Sequence, residues 1–344
     1  MRHAKQMQQA SDTLLITGAA GFLGHQAVEK ALAQGKQVVA VVRPRGEDGR
    51  SESKPLAQLQ MKYPGRLKIE TVNFEDMPSI AALIARHPEI ESVLHAAALV
   101  RPRLGEEASV QRLNVEATIA LANACQALAE QKKTPIRFHF ISSISALYHE
   151  KQTTPQHNHA IAAEAYGKSK CDASHWLYDH AGELTQLDVR ITYPPAIIGA
   201  VPSTAWISHV LRMGHAKDKA FSQVKADKPE AITRMVNCEH YLTNIFACLD
   251  APLAPGVHEY SVRPDYQVQV GELVRVAKDV VYDKKNGTPR HQRDVGEQAE
   301  MDFTVRQLPT VEEALGVKLA DPVPLYELLA AQYDVIARSA KQRS

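Results

Sequence analysis

The chain has 344 residues, enough for one large domain or a domain carrying a smaller lobe. Hydrophobic residues make up 44% of it and the formal net charge is +1, so a sizeable core is expected and no electrostatic pull toward nucleic acid or an anionic membrane. No apolar run approaches the roughly 20 residues needed to span a bilayer. The first dozen residues lack the apolar core of a signal peptide and read as a disordered tail, 1–12. Cys125, Cys171, Cys238 and Cys248 share no CxxC spacing, so reduced core cysteines are expected and no metal site. A cytoplasmic protein fits this composition.

In chain order, short apolar runs alternate with helical patterns. The runs are TLLITG (13–18), QVVAVV (37–42), LKIETV (67–72), SVLHAAA (92–98), IRFHFISS (136–143) and LDVRITYP (187–194). Nearly continuous runs of this length are what strands buried on both faces of a parallel sheet look like. Between them, Val110, Leu113, Ala117, Leu121, Ala124 and Leu128 step by three and four, as on a helix face. The alternation predicts an α/β fold, a doubly wound parallel sheet of Rossmann type. It stops at Pro194–Pro195. Beyond it the pattern gives a helix around Trp206 to Met213, a basic stretch HAKDKAFSQVKADKPEA, a strand VHEYSV (257–262) and further helices. The expected organisation is a dinucleotide-binding domain over 13–195, with 236–262 returning to it. Residues 196–235 and 263–340 then form a smaller lobe for the substrate.

Gly18, Gly21 and Gly24 end the first strand and open the first helix. In a parallel sheet this turn is where a dinucleotide pyrophosphate lies. Glycine there permits positive φ and close backbone approach, while the helix N-terminus offers free N–H groups to phosphates. The spacing is TGxxGxxG. With it, HAAA (95–98), NVEAT (114–118), ISSIS (141–145), YGKSK (166–170) and YPPAIIGA (193–200) follow in order. Together these resemble the extended branch of the short-chain dehydrogenase/reductase superfamily, from Leu14 to about Val262. The resemblance implies cofactor contacts at Gly18, Ala20, Gly21, Phe22, Leu23, Gly24, Ala96, Ala97, Ala98, Tyr166, Lys170, Pro194 and Ile197. It also implies homodimers through the helices carrying Asn114 and Tyr166.

Ala163, Tyr166, Lys170, Ala173 and Leu177 share one helical stripe, so Tyr166 and Lys170 are neighbours on a buried face. An unpaired ammonium there is costly. A cation beside a phenol stabilises its phenolate and would bring the hydroxyl from about 10 toward neutrality, fit to exchange a proton during hydride transfer. Ser143, at the ligand edge of the fifth strand, can hold the substrate oxygen near Tyr166, with Ser145 as the other candidate. The resemblance gives Asn114 a bracing role toward the fourth strand and the lysine. Glu239–His240 stands where the family commonly shows an acidic pair, and His240 is expected to pack or pair.

The second strand runs into Arg43-Pro44-Arg45, with no acid until Glu47. An acid at that strand end would bond the ribose of NAD; arginine accommodates the extra phosphate of NADP, so NADP(H) is the expected cofactor. Asn73, preceding Phe74, stands where the family usually has Asp and can still accept from adenine. Three functions are compatible: an NADPH-dependent reductase of a carbonyl compound, a nucleotide-sugar epimerase or dehydratase using NAD, and a non-catalytic dinucleotide sensor. Reduction of a hydrophobic carbonyl substrate is the main expectation. Trp206, Ile207, Val210, Leu211, Met213 and Phe221 would line a greasy channel, with Arg212, Lys217, Lys219, Lys225 and Lys228 at its mouth.

Overall fold

A computed structural model describes residues 12–44, 53–103, 105–150, 161–201, 206–287 and 308–341. The elements in chain order are β1 (Thr13–Thr17), α1 (Phe22–Ala33), β2 (Gln37–Val42), α2 (Lys54–Lys62), β3 (Leu67–Thr71), α3 (Met77–Arg86) and β4 (Ile90–His95). Then come α4 (Glu107–Gln111), α5 (Ala117–Lys132), β5 (Ile136–Ile141), α6 (Ile144–Glu150), α7 (Ile161–Asp179), β6 (Leu187–Tyr193) and β7 (Ala196–Ile198). The remainder is α8 (Trp206–His215), β8 (Ile232–Asn237), α9 (Cys238–Asp250), β9 (Gly256–Ser261), β10 (Tyr266–Gln269), α10 (Val270–Asn286), α11 (Val311–Leu315) and α12 (Leu325–Lys341).

Seven strands form one parallel sheet in the order β3-β2-β1-β4-β5-β6-β9. The chain winds outward from β1 in one direction and from β4 in the other, which is the doubly wound Rossmann arrangement. Alternate residues of each strand serve opposite faces. Phe138, Phe140, Val189 and Ile191 pack toward α5 and α7, whereas Leu14, Ile16, Val38 and Ala40 pack toward α1 and α9. All are essentially inaccessible to water, which is why the runs read as continuous rather than alternating.

A smaller three-stranded sheet, β10-β8-β7, carries the lobe. Its core is built from α8, α10 and α12, with Ile207, Val210, Leu211, Leu273, Val280, Leu329 and Tyr333 buried together. The chain returns to the main sheet through α9 and β9, the latter pairing in parallel with β6. No helix among the described residues is long and apolar enough to cross a membrane.

The helix expected through Val110 to Leu128 is not uniform. Between α4 and α5 the residues Arg112–Glu116 form a π-helical turn, with Asn114 at its centre. Widened turns of this kind often mark functional positions.

Candidate active site

The strand order reverses between β1 and β4, and the crevice above their carboxyl ends is where an open α/β sheet binds ligands. Gly18 leaves β1 with φ +66°, and a Cβ on it would stand 2.9 Å from the Cα and N of Ala97. Gly24 lies against the same turn: a Cβ there would meet the Gly18 carbonyl oxygen at 2.2 Å. Gly21 caps α1, and its own N–H returns to Gly18 O at 2.8 Å. The first internal bond of α1 is His25 N–H to Gly21 O, so the N–H groups of Phe22, Leu23 and Gly24 lie ahead of the helical ladder. Ala20 and Gly21 are exposed at this end. An open helix N-terminus beside glycines that hold two strand ends together fits a dinucleotide pyrophosphate.

Thr17, which sequence reading passed over, fixes the opposite wall. Its Oγ1 accepts the N–H groups of Ala96 (3.1 Å) and Ala97 (3.0 Å), so its own proton goes to His95 Nδ1 at 2.7 Å. His95 then carries its proton on Nε2 and donates to Thr118 Oγ1 at 3.0 Å, which donates to Asn114 O at 2.7 Å. Burial pushes His95 down to about 3, in keeping with this neutral tautomer. Phe74 stacks on the other side of the ring, at 6.1 Å between centroids. A strand-end threonine directly before the glycine was the one available signal for Thr17.

Asn114 clamps the chain leaving β4. Its Oδ1 accepts Leu99 N–H at 2.7 Å, and its Nδ2 donates to Leu99 O at 3.2 Å and to Ser169 Oγ at 2.9 Å. Ser169 in turn donates to Tyr166 O at 2.8 Å, so the clamp reaches the helix of the YGKSK segment.

That helix, α7, brings Tyr166 and Lys170 to the end of β5. The Tyr166 hydroxyl lies near the Ser143 side chain, whose influence lowers its pKa, and Ser143 Oγ accepts Ser145 N–H at 3.2 Å. Lys170, 2% exposed, donates to Ile141 O at 2.7 Å and lies 4.4 Å from the centroid of the Phe140 ring. Among the described residues no carboxylate pairs with it, and burial lowers it to about 7. Tyr166 departs from expectation. Its hydroxyl is pushed up to about 12 by burial, with the Ser143 side chain pulling the other way. The expected phenolate stabilisation by Lys170 is corrected here, because that ammonium is engaged by Ile141 and is itself held near neutrality. It also retains donors beyond the one given to Ile141, which suits the hydroxyls of a ribose.

The remaining candidates are more scattered. Arg43 is exposed directly after β2, and Arg45 lies outside the described residues. Asn73 is exposed, its Oδ1 accepting Glu75 N–H at 3.0 Å. Ala98 is half-buried beyond β4, Pro194 is buried with its carbonyl accepting Ile144 N–H, and Ile197, like Phe22 and Leu23, packs against the core on the α1 side of the sheet. His240 pairs with Asp265 at 2.8 Å, joining α9 to the start of β10. The greasy channel is corrected for its core: Ile207, Val210 and Leu211 are at most 4% exposed and fill the lobe core, with Phe221 packed against it, while Met213 is half-buried and Trp206 is exposed. The four cysteines are buried and none forms a disulfide, and no group of three metal-ligating side chains occurs among the described residues.

The family model for the NAD dependent epimerase/dehydratase family matches residues 14–226, from β1 through the first half of the lobe. The chain belongs to that family. No curated protein matches the sequence closely enough to stand as a relative. Solved structures of similar fold include UDP-glucose 4-epimerase from Thermotoga maritima with UDP-glucose, at 17% identity and a TM-score of 0.68. UDP-glucuronic acid 4-epimerase from Bacillus cereus with UDP-glucuronic acid and NAD is similar at 17% identity and 0.67. MoeE5 with UDP-glucose and NAD stands at 21% and 0.65. Each covers 95% of this chain and is itself covered over 99% of its length. These likenesses show the epimerase/dehydratase fold, lobe included. Two of the three, MoeE5 and the Bacillus cereus enzyme, are in complex with NAD.

Proposed function

We propose that this epimerase/dehydratase family member uses a nicotinamide dinucleotide to act at a secondary hydroxyl or carbonyl carbon of a nucleotide sugar, with Tyr166 carrying the proton. The observation that carries the reading is where the apolar side chains of α8 lie. A sugar nucleotide would have left a greasy channel unused, but Ile207, Val210 and Leu211 are consumed in the lobe core. The segment presents Lys217, Lys219 and Lys225 to water, together with Asp218 and the partly exposed Trp206. Cations of that kind suit a diphosphate. The similar enzymes named above, with UDP-glucose or UDP-glucuronic acid, support the same substrate class.

In this reading Ser143 holds the reacting oxygen beside Tyr166, and Tyr166 takes the proton as the carbinol is oxidised and returns it on reduction. Nicotinamide, when bound, accepts and gives back the hydride. Lys170, buried and uncompensated, supplies positive charge to the ribose side of the site, and Asn114 keeps the β4 wall fixed. A second reading, an NADPH-dependent reductase of a carbonyl compound, is favoured by one observation: β2 ends in exposed Arg43 rather than an acid.

The test is a substrate panel of UDP-glucose, UDP-glucuronic acid, ketones, aldehydes and acyl thioesters, with NAD, NADH or NADPH supplied. Product is followed by NMR and cofactor by absorbance. Isomerised or dehydrated nucleotide sugar without net cofactor consumption supports the first reading. Stoichiometric NADPH oxidation confined to the carbonyl compounds replaces it with the second. In either case Tyr166→Phe should keep dinucleotide binding and lose turnover by orders of magnitude.

A further inference from the structure

The strand end that presents Ser143 is fastened from two sides at its preceding residue. Ser142 N–H donates to Thr192 O at 2.9 Å, tying it to β6. On the other side its hydroxyl lies 2.9 Å from Ser174 Oγ, on α7. Ser174 donates its own proton to Lys170 O at 2.8 Å, so the proton between the two hydroxyls comes from Ser142. Both serines are buried, at 1% and 3% exposure, and neither faces the ligand crevice.

A buried hydroxyl pair of this kind adds little net stability, since two apolar side chains of similar shape serve nearly as well. What it supplies is direction. Lys170 Nζ already ties α7 to Ile141 O, and a single tie is a pivot. Adding Ser174 to Ser142 makes ties at consecutive strand residues, which fixes the angle at which Ser143 meets Tyr166. The Lys170 tie competes with any partner the ammonium finds in the crevice; the serine tie does not.

We propose that Ser174 is a positioning residue for the reaction: through Ser142 it holds the end of β5 so that Ser143 stays beside Tyr166. Its catalytic consequence rests on the reading of Tyr166 as proton carrier, but its geometry can be tested without a substrate. Protein labelled with 13C at tyrosine Cζ reports all 11 tyrosines, and the Tyr166 signal is assigned by its loss in Tyr166→Phe. The variants are Ser174→Ala and the double variant Ser142→Ala/Ser174→Ala, each also unfolded in urea.

Ser174→Ala strands the Ser142 hydroxyl, so it should lower stability and displace the Tyr166 signal while the other tyrosines hold. The double variant, with no stranded hydroxyl, should recover stability and keep Tyr166 displaced. It should also bind NAD within twofold of wild type. An unmoved Tyr166 signal in Ser174→Ala overturns the proposal. So does a signal that returns to its wild-type position together with stability, because the pair would then be merely packing. Wild-type turnover in Tyr166→Phe would instead remove the functional reading and leave this geometry standing.

Discussion

Lys170→Met should make the protein more stable at mildly acid pH, and the gain should fade as pH rises. The ammonium is 2% exposed, donates to Ile141 O and, among the described residues, has no carboxylate partner. Burial lowers Lys170 from 10.5 to about 7. At about 1.36 kcal/mol for each tenfold change, that fall amounts to roughly 5 kcal/mol against the charged form in the fold. Below pH 7 both folded and unfolded chains carry the proton, and the whole penalty is present. Between 7 and 10.5 the unfolded chain keeps a proton that the folded one has lost, so wild-type stability rises with pH by about 1.4 kcal/mol per pH unit. Methionine has no such dependence but leaves Ile141 O unpaired, at a cost of about 1–3 kcal/mol. The expected gain at pH 6 is therefore about 2–4 kcal/mol, shrinking by roughly 3 kcal/mol by pH 9. Urea unfolding of both proteins at pH 6, 7.5 and 9 measures the difference, in which every other titrating group cancels. A gap that does not change with pH would refute the neutralised lysine. The same variant should lose turnover, the trade expected of a residue kept in a destabilising state for its chemistry.

Other variants probe the rest of the crevice. Gly18→Ala places a Cβ 2.9 Å from the Ala97 backbone at a φ of +66°, and should abolish dinucleotide binding in a calorimetric titration; retained affinity would detach this turn from the cofactor. Arg43→Ala should lower the ratio of NADP to NAD affinity at least tenfold, the loss of one charge-assisted phosphate contact worth about 1.5–3 kcal/mol. Unchanged affinity for both would free Arg43 from any role in cofactor choice. Asn114→Ala leaves the Leu99 N–H without its partner and should cost about 1–3 kcal/mol in urea unfolding, with turnover falling further than dinucleotide affinity. Equal losses in both would mark Asn114 as structural support only.

The sheet was legible because burial on both faces leaves a direct mark on composition. A run such as QVVAVV has no polar residue after its first, Gln37, to spare for a wet face, and it is β2 as read. The readings of strand ends ran long: HAAA and the serines of IRFHFISS lie past the last ladder residues, His95 and Ile141. Those overhangs are the ligand edge, where the chain leaves the sheet to meet other partners. The π-helical turn at Asn114 was hidden, since a periodicity of three and four continues across one widened turn without a gap. β10 was hidden as well, its four residues YQVQ alternating too briefly to stand out.

The site was legible in its residues more than in its electrostatics. Adjacency of Tyr166 and Lys170 follows from helical spacing, but the state of each depends on what else can take the charge. A backbone carbonyl, Ile141 O, accepts from the ammonium, and no pattern of side chains announces a carbonyl. The lobe failed for a related reason. An apolar stripe along 206–213 says that a helix buries one face and leaves open what lies against it. A substrate and a second helix are equally apolar partners; α10 and α12, 60 and more residues further on, were the ones. The correction reaches the chemistry. With Ile207, Val210 and Leu211 buried, the segment exposes Lys217, Lys219 and Lys225 beside Asp218, and those cations would favour an anionic substrate over a greasy one. An arginine after β2 would favour NADP on the same electrostatic grounds, while MoeE5 and the Bacillus cereus enzyme are in complex with NAD. If Arg43 sets cofactor choice and the cations of 217–225 meet the substrate, substitution at one should leave the preference at the other unchanged, and a double variant that shifts both preferences by more than the sum of the singles would refute that separation.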